Sequence, residues 1–427
     1  MKIFTLLAVT GLISTGANAQ CAGGRYESDI FSAVTVTSNV VYGSNTSSSG
    51  ALTSLKLDFY EPTGDTELQR PLIIFAHGGS FIGGSKTDAD VSALCNRFAK
   101  KGYACASIDY RVGFFPFDSV NGVKAVVRAV QDMKGALRFF YMNAATNTSL
   151  YKIDTTNIFI GGSSAGAITA LHTAYLDQEC ELYSHLSAAA VTALGGLEGT
   201  SGNAGRSTAV KGVINLCGAL AVYKWLEVGD VPFVSLHGTN DAVVGYNRQI
   251  VNPGVPLIYL DGSRMLVDQA SAVSVANPFY TFRGAPHVPY AGGSVSQMAY
   301  MDTVVNFTRD FLIGRLGCSL PPLQLANTPS QTATLYNAIV CGIGGINESA
   351  TEELFSIYPN PAQNNMTIDA KATISSITMV DVAGKLLLSV NPNSNSYELN
   401  QSDFGKGIFF VSITTEKGMV TKKVMFN

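Results

Sequence analysis

The sequence predicts an α/β fold on a mostly parallel, doubly wound sheet, followed by a small all-β sandwich, and three observations predict it. Apolar runs recur at residues 72–76, 104–108, 158–160, 213–216 and 233–236, as strands covered on both faces require. Helical patterns lie between them, and strands alternating with helices make a parallel sheet. From Leu354 onward the apolar period falls to two, the period of a half-buried strand.

Taken in order, the chain begins with a removable segment. Lys2 precedes an apolar run over 3–13 and the small-residue site Ala17, Asn18, Ala19, so residues 1–19 are expected to be a signal peptide cleaved after Ala19. Gln20 before Cys21 fits a lipoprotein site poorly. Residues 20–317 are expected to form the α/β domain. Within it, 55–59 alternates as a strand does. Residues 90–101 read as a helix that Asp90 could cap. Residues 123–140 read as a second helix, with Val127, Val130, Ala136 and Phe139 among its apolar positions. Residues 177–210, rich in Ala, Gly, Ser and Thr, read as an insertion placed where a small cap over a site could lie. Residues 318–353 carry many Ser, Thr, Asn and Pro and read as a linker. Residues 354–427 then give strands at 355–358, 377–380, 408–413 and 420–424, with turn signals at 359–361 and 383–385.

Composition narrows the function. Apolar residues make up 46% and charged residues 14% of the 427, with 42 glycines and a net charge of −3. Such a chain is globular rather than disordered or coiled-coil, and it lacks the basic footprint of a nucleic-acid binder. No stretch after the signal is long and apolar enough to span a bilayer. Seven cysteines (Cys21, Cys95, Cys105, Cys180, Cys217, Cys318 and Cys341) suit an exported chain with some pairing, and the odd count leaves at least one unpaired within the chain. Cys95 with Cys105, and Cys318 with Cys341, are plausible local staples, and Cys217 reads as a buried thiol. No Cys or His spacing indicates a metal site, and no cofactor is expected.

The chemistry-bearing residues sit at strand ends. Residues 162–166 match G-x-S-x-G after the strand at 158–160 and before an apolar helix, the context in which Ser164 would be a nucleophile. Ser163 is the competitor if the frame slips by one, but Ala165 then replaces the closing glycine. His77, Gly78, Gly79 and Ser80 follow the strand ending at Ala76. The N–H groups of Gly79 and Ser80, with that of Ala165, are the expected oxyanion hole. His77 more plausibly braces its loop than acts as a base. The order Ser, acid, His leaves His287 as the only histidine after residue 237, and Asp241 as the acid placed to hold its tautomer. Asp230, Asp261 and Asp268 are weaker candidates for the acid. His172 and His185 read as core or surface residues.

These segments carry a resemblance. HGGSF, GGSSAGA, HGTNDAVV and GAPHVP together resemble the carboxylesterase and hormone-sensitive-lipase branches of the α/β-hydrolases over residues 50–315. The resemblance implies acyl transfer through Ser164, His287 and Asp241. Ser80 stands where the family often has a third glycine and Ser163 where many members have Asp or Glu. Neither change removes a backbone donor, so it is the substrate that they leave open. Residues 358–361, 381–385 and 407–411 are similar to the C-terminal sorting domain of type nine secretion, which implies export across an outer membrane and secretion machinery as a partner.

Phe81, Phe114, Phe115 and Phe117 are the candidate substrate contacts, an aromatic wall at the mouth of the site or equally core beneath a loop. By resemblance, esters of acetyl or hydroxycinnamoyl groups on polysaccharides, or polyesters, are the expected substrates of an exported serine ester hydrolase. A serine peptidase would need an amine-binding subsite from the N-terminal or insertion segments. A noncatalytic binding module is the third reading, against which the intact Ser, Asp and His argue.

Overall fold

Seventeen residues or fewer per strand, most of them short and apolar, dictate how the chain closes. The computed structural model describes residues 21–146, 150–254, 256–327, 329, 331–333, 335–336, 338, 355–381, 385–415 and 418–427. The expected signal peptide, Cys341 and much of the expected linker lie outside them. Contacts divide the chain into two units, Met1–Cys341 and Gly342–Asn427.

The first unit is built on eight strands. In chain order they are β1 (Val34–Thr46), β2 (Leu52–Pro62), β3 (Arg70–Ala76), β4 (Ala104–Ile108), β5 (Ile153–Ser163), β6 (Gly212–Leu216), β8 (Phe233–Gly238) and β11 (Phe279–Phe282). Short strands β7 (Ala219–Leu220), β9 (Gln249–Ile250) and β10 (Tyr259–Gly262) form a separate three-stranded sheet. The large sheet runs β1-β2-β4-β3-β5-β6-β8-β11. It is parallel from β4 to β11, with β1 and β2 antiparallel at one edge. The apolar runs account for this order, because each central strand feeds two cores. Leu72, Ile74 and Ala76 of β3 enter one cluster while Ile73 and Phe75 enter the other, the period-two consequence of a strand covered on both faces.

Helices α1 (Ala89–Lys100), α2 (Ser119–Ala144), α3 (Ala165–Tyr175), α4 (Ala188–Leu194), α5 (Ser263–Ala272) and α6 (Val295–Arg315) supply the cover. Helices α2 and α3 pack into the first core, and α1 and α6 into the second. The N-cap position of α1 is Asp88, not Asp90, which sits in the first turn with Oδ1 accepting from the amide of Val91. Helix α2 starts earlier than its apolar pattern, because the Asp118 side chain accepts from the amide of Asn121 and caps it there. The sequence reading gave no strand for β1. It is an edge strand with many exposed positions, including Val36 and Val41, so no clean apolar alternation marks it.

Two disulfide expectations are corrected. Cys318 bonds Cys21, 297 residues away, rather than Cys341. Cys95 and Cys105 are free thiols, both buried, on the core faces of α1 and β4, where apolar packing rather than a bond accounts for them. Cys217 is a buried thiol as expected, and Cys180 is disulfide-bonded.

In the second unit, β12 (Phe355–Tyr358), β13 (Asn365–Asp381), β14 (Leu386–Val390), β15 (Ser394–Asn400), β16 (Gly407–Thr415) and β17 (Gly418–Phe426) are all paired antiparallel. Strand β13 is shared. Its first half pairs with β12 and β15, and its second with β14 and β16. Met366, Ile368, Ile377 and Met379 from both halves bury with Phe355, Val411 and Phe426 in one core, as in a sandwich.

Candidate active site

Strand β5 ends at Ser163 and α3 begins at Ala165, so Ser164 alone makes the turn. Its φ of 55° lies in the left-handed region, a strain of about 1–3 kcal/mol that the surroundings must hold. Close packing explains both flanking glycines. A Cβ on Gly162 would lie 2.4 Å from the Gly166 carbonyl carbon, and one on Gly166 would lie 2.0 Å from Ala76 O. Helix and strand meet backbone to backbone, and Ser164 is lifted to the end of the sheet where the α3 N-terminus favours negative charge. Ser163 Oγ is 2.7 Å from Tyr290 Oη and fully buried, which removes it from competition.

The loop after β11 brings His287 Nε2 to 2.7 Å from Ser164 Oγ, and its Nδ1 to 2.6 Å from Asp241 Oδ2. Asp241 sits in the loop after β8, where Oδ1 accepts from the amides of Val243 and Val244. Burial works to raise the Asp241 carboxyl, but hydrogen bonds from His237 and His287 outweigh it and hold the group well below the usual carboxylate range. It is an anion near neutral pH.

His237 is a residue that the sequence reading passed over, although it stands in the HGTND segment. Its Nε2 lies 2.9 Å from Val244 O and 3.2 Å from Asp241 Oδ2. The carbonyl can only accept, so Nε2 carries the proton and Nδ1 accepts from Ser263 Oγ at 2.7 Å. Ser263 Oγ in turn accepts from Asn215 Nδ2. A buried polar chain thus runs from Asn215 through Ser263 and His237 to Asp241.

The loop after β3 holds Gly79, Ser80 and Phe81 at φ of 103°, 56° and 60°. A Cβ on Gly78 would stand 3.5 Å from Ser164 Cβ, and one on Gly79 would strike Gly83 O at 2.2 Å, so the backbone passes beside the serine. The amides of Gly79 and Ser80 donate to no protein acceptor among the described residues. Ala165 opens α3 and has no earlier turn of that helix to donate to. His77 braces this loop. It stacks on Tyr110 at 4.3 Å, its Nδ1 is 2.6 Å from Gly78 O, and Tyr110 Oη donates to His77 O. Burial lowers the His77 pKa.

Two cavities meet at Ser164. One is apolar, lined by Phe81, Phe114, Ile168, His172, Val244 and Trp225 among others. The second is open and polar, with Asp88, Asp90, Asn252 and His287 in its wall. Phe115 and Phe117 line neither of them. They are 81% and 49% exposed and pack edge-to-face on each other beside Phe114. Cys217, Asp241 and His287 have ligand-type atoms within 4.8 Å of one another. Burial pushes the Cys217 thiol up to about 12, however, so it stays protonated and is a poor metal donor, while the other two are engaged with each other.

The chain is similar to several known proteins. Residues 57–228 match the BD-FAE family, and residues 356–427 match the secretion system C-terminal sorting domain. Quorum-quenching protein AidA of Acinetobacter baumannii (strain MDR-ZJ06) is 36% identical over 118 residues, 28% of this chain and 34% of its own length. Carboxylesterase 3B of Mus musculus is 35% identical over 120 residues, 27% of this chain and 19% of its own. The chain therefore spans about a third or less of these curated relatives. The apo form of Thermogutta terrifontis esterase 2 superposes with a TM-score of 0.49 at 21% identity, over 70% of this chain and 99% of that one.

Proposed function

Because this chain is an α/β-hydrolase that ends in a type nine secretion sorting domain, we propose that it is an exported serine carboxylic-ester hydrolase working through Ser164, His287 and Asp241. The observation that carries the reading is the unbroken hydrogen-bonded line from Ser164 Oγ to His287 to Asp241, at 2.7 and 2.6 Å.

In this reading His287 Nε2 takes the Ser164 Oγ proton as the oxygen attacks the ester carbonyl carbon. Asp241 holds Nδ1–H and stabilises the imidazolium. The negative oxygen of the tetrahedral intermediate meets the N–H groups of Gly79, Ser80 and Ala165, donors worth about 3 kcal/mol each in related chemistry. The intermediate collapses, His287 passes the proton to the leaving alcohol, and an acyl-Ser164 ester remains. Water repeats the sequence and frees the acid.

The two cavities divide the substrate. The apolar one takes a hydrophobic acyl group, with Phe81 and Phe114 in its wall. The open polar one, with Asp88, Asp90 and Asn252, suits a hydroxyl-rich alcohol, as in a sugar-linked ester. Phe115 and Phe117 have no place in this binding scheme. The second unit takes no part in catalysis and engages the export machinery.

Hydrolysis of p-nitrophenyl acetate by the purified protein tests the reading. Ser164→Ala is expected to lower kcat by at least about 10³-fold with little change in stability. Activity unchanged in that variant removes the proposal.

A further inference from the structure

The apolar cavity has a direction. Ser164, Ile168, His172 and Leu176 all line it, and their spacing of four places them on one face of α3. At 1.5 Å per residue the cavity follows that helix for about 12 Å between Ser164 and His172. The insertion at 177–210 adds Leu182 and His185 to the same wall.

The two histidines in that wall differ. His172 is satisfied: its Nδ1 donates to Ile168 O at 2.8 Å, its Nε2 accepts from the Ala221 amide at 3.3 Å, and its ring stands edge-on to Trp225. It offers a substrate only an apolar face. His185 Nε2 is buried and has no hydrogen-bond partner among the described residues, the kind of group that cores rarely tolerate without a use. Burial lowers the His185 pKa as well, so the ring is neutral near pH 7 and can either give or accept a hydrogen bond. The residue also borders a neighbouring cavity lined by Ser119, Ile250 and Tyr259, which leaves its ring room to turn.

We propose that His185 is a specificity-determining residue, and that the site prefers acyl groups of about eight chain atoms ending in a hydroxyl, which pairs with Nε2 in the cavity wall. The inference rests on the esterase reading above. An acyl chain of that length reaches from the carbonyl at Ser164 past His172, and its other atoms meet apolar wall. A small turn of the imidazole on binding brings Nε2 to the hydroxyl. A chain of equal length without the hydroxyl fills the same space and leaves Nε2 unpaired, a difference of roughly tenfold in kcat/KM.

The test compares p-nitrophenyl octanoate with p-nitrophenyl 7-hydroxyheptanoate, equal at eight chain atoms, using p-nitrophenyl acetate as the reference. The wild-type protein is expected to favour the hydroxylated ester by roughly tenfold. His185→Phe should abolish or reverse that ratio, and His185→Gln, which keeps a hydrogen-bonding end, should restore part of the preference. A merely structural His185 would lower all three rates together. A wild-type ratio of one, or a ratio unaltered in His185→Phe, overturns the inference while leaving the esterase reading intact. Failure to hydrolyse acetate at all strikes the esterase reading instead.

Discussion

His237 Nε2 lies 3.2 Å from Asp241 Oδ2, the same oxygen that receives His287 Nδ1. One carboxylate oxygen is therefore shared by two imidazoles, one of them fully buried and fixed in its tautomer by the Val244 carbonyl. The arrangement makes His237 a positioning residue, acting on the reaction only through Asp241.

Its removal gives the first prediction. In His237→Phe, Asp241 loses one donor, and its charge falls more heavily on the bond to His287. The loosened carboxylate should lower kcat by about tenfold with little change in KM. Steady-state kinetics check the split between kcat and KM, and an unchanged kcat with only a lower melting temperature would reduce His237 to a structural role.

Gly166 gives the second. A Cβ there would lie 2.0 Å from Ala76 O and 2.7 Å from His77 O, backbone atoms that cannot yield. Gly166→Ala should push α3 off β3 and destabilise the fold by about 3 kcal/mol or more. Gly64→Ala meets nothing within 4 Å and carries only the strain of a φ of 80°, about 1 kcal/mol. Thermal denaturation of the two variants should separate them clearly, and equal melting temperatures would refute the close-approach argument.

The third concerns acid. Burial draws the His172 pKa down to about 4, against about 6.5 in an unfolded chain. Between those values the unfolded chain binds a proton that the folded one refuses. Stability is therefore present above about pH 6.5 and lost as pH falls toward 4. Burial pushes Glu181 up to about 7, which favours the folded state as pH falls, so the comparison must be between proteins. From pH 7 to pH 4.5 the wild type should lose about 2 kcal/mol more than His172→Gln, as measured by urea denaturation at both values. Parallel losses in the two proteins would contradict a neutral, buried His172.

Much of this was legible along the chain. Apolar runs bounded by turn residues located the central strands, because a strand buried on both faces admits few polar residues at any register. The glycines around Ser164, and the order in which Ser164, Asp241 and His287 occur, identified the three residues that the structure brings within hydrogen-bonding distance, since a bend this tight leaves few residue types free at each position. The C-terminal unit was legible too, for the period-two segments and turns after Leu354 form a separate unit with its own core and match the secretion system C-terminal sorting domain.

What distance along the chain hides, only the tertiary structure decided. Edge strand β1, with its exposed face, left no apolar pattern. Cys21 found Cys318 rather than a near neighbour because the two ends of the first unit come together in the fold. Four phenylalanines that looked alike in sequence were divided, Phe81 and Phe114 into the cavity wall and Phe115 and Phe117 toward solvent. The partners of His237 lie 4 to 26 residues away, and His185 Nε2 has none among the described residues. Local spacing dictates which backbone shapes a segment can adopt, but the reach of a side chain to its partner is a property of packing, which is settled only when all the strands are in place.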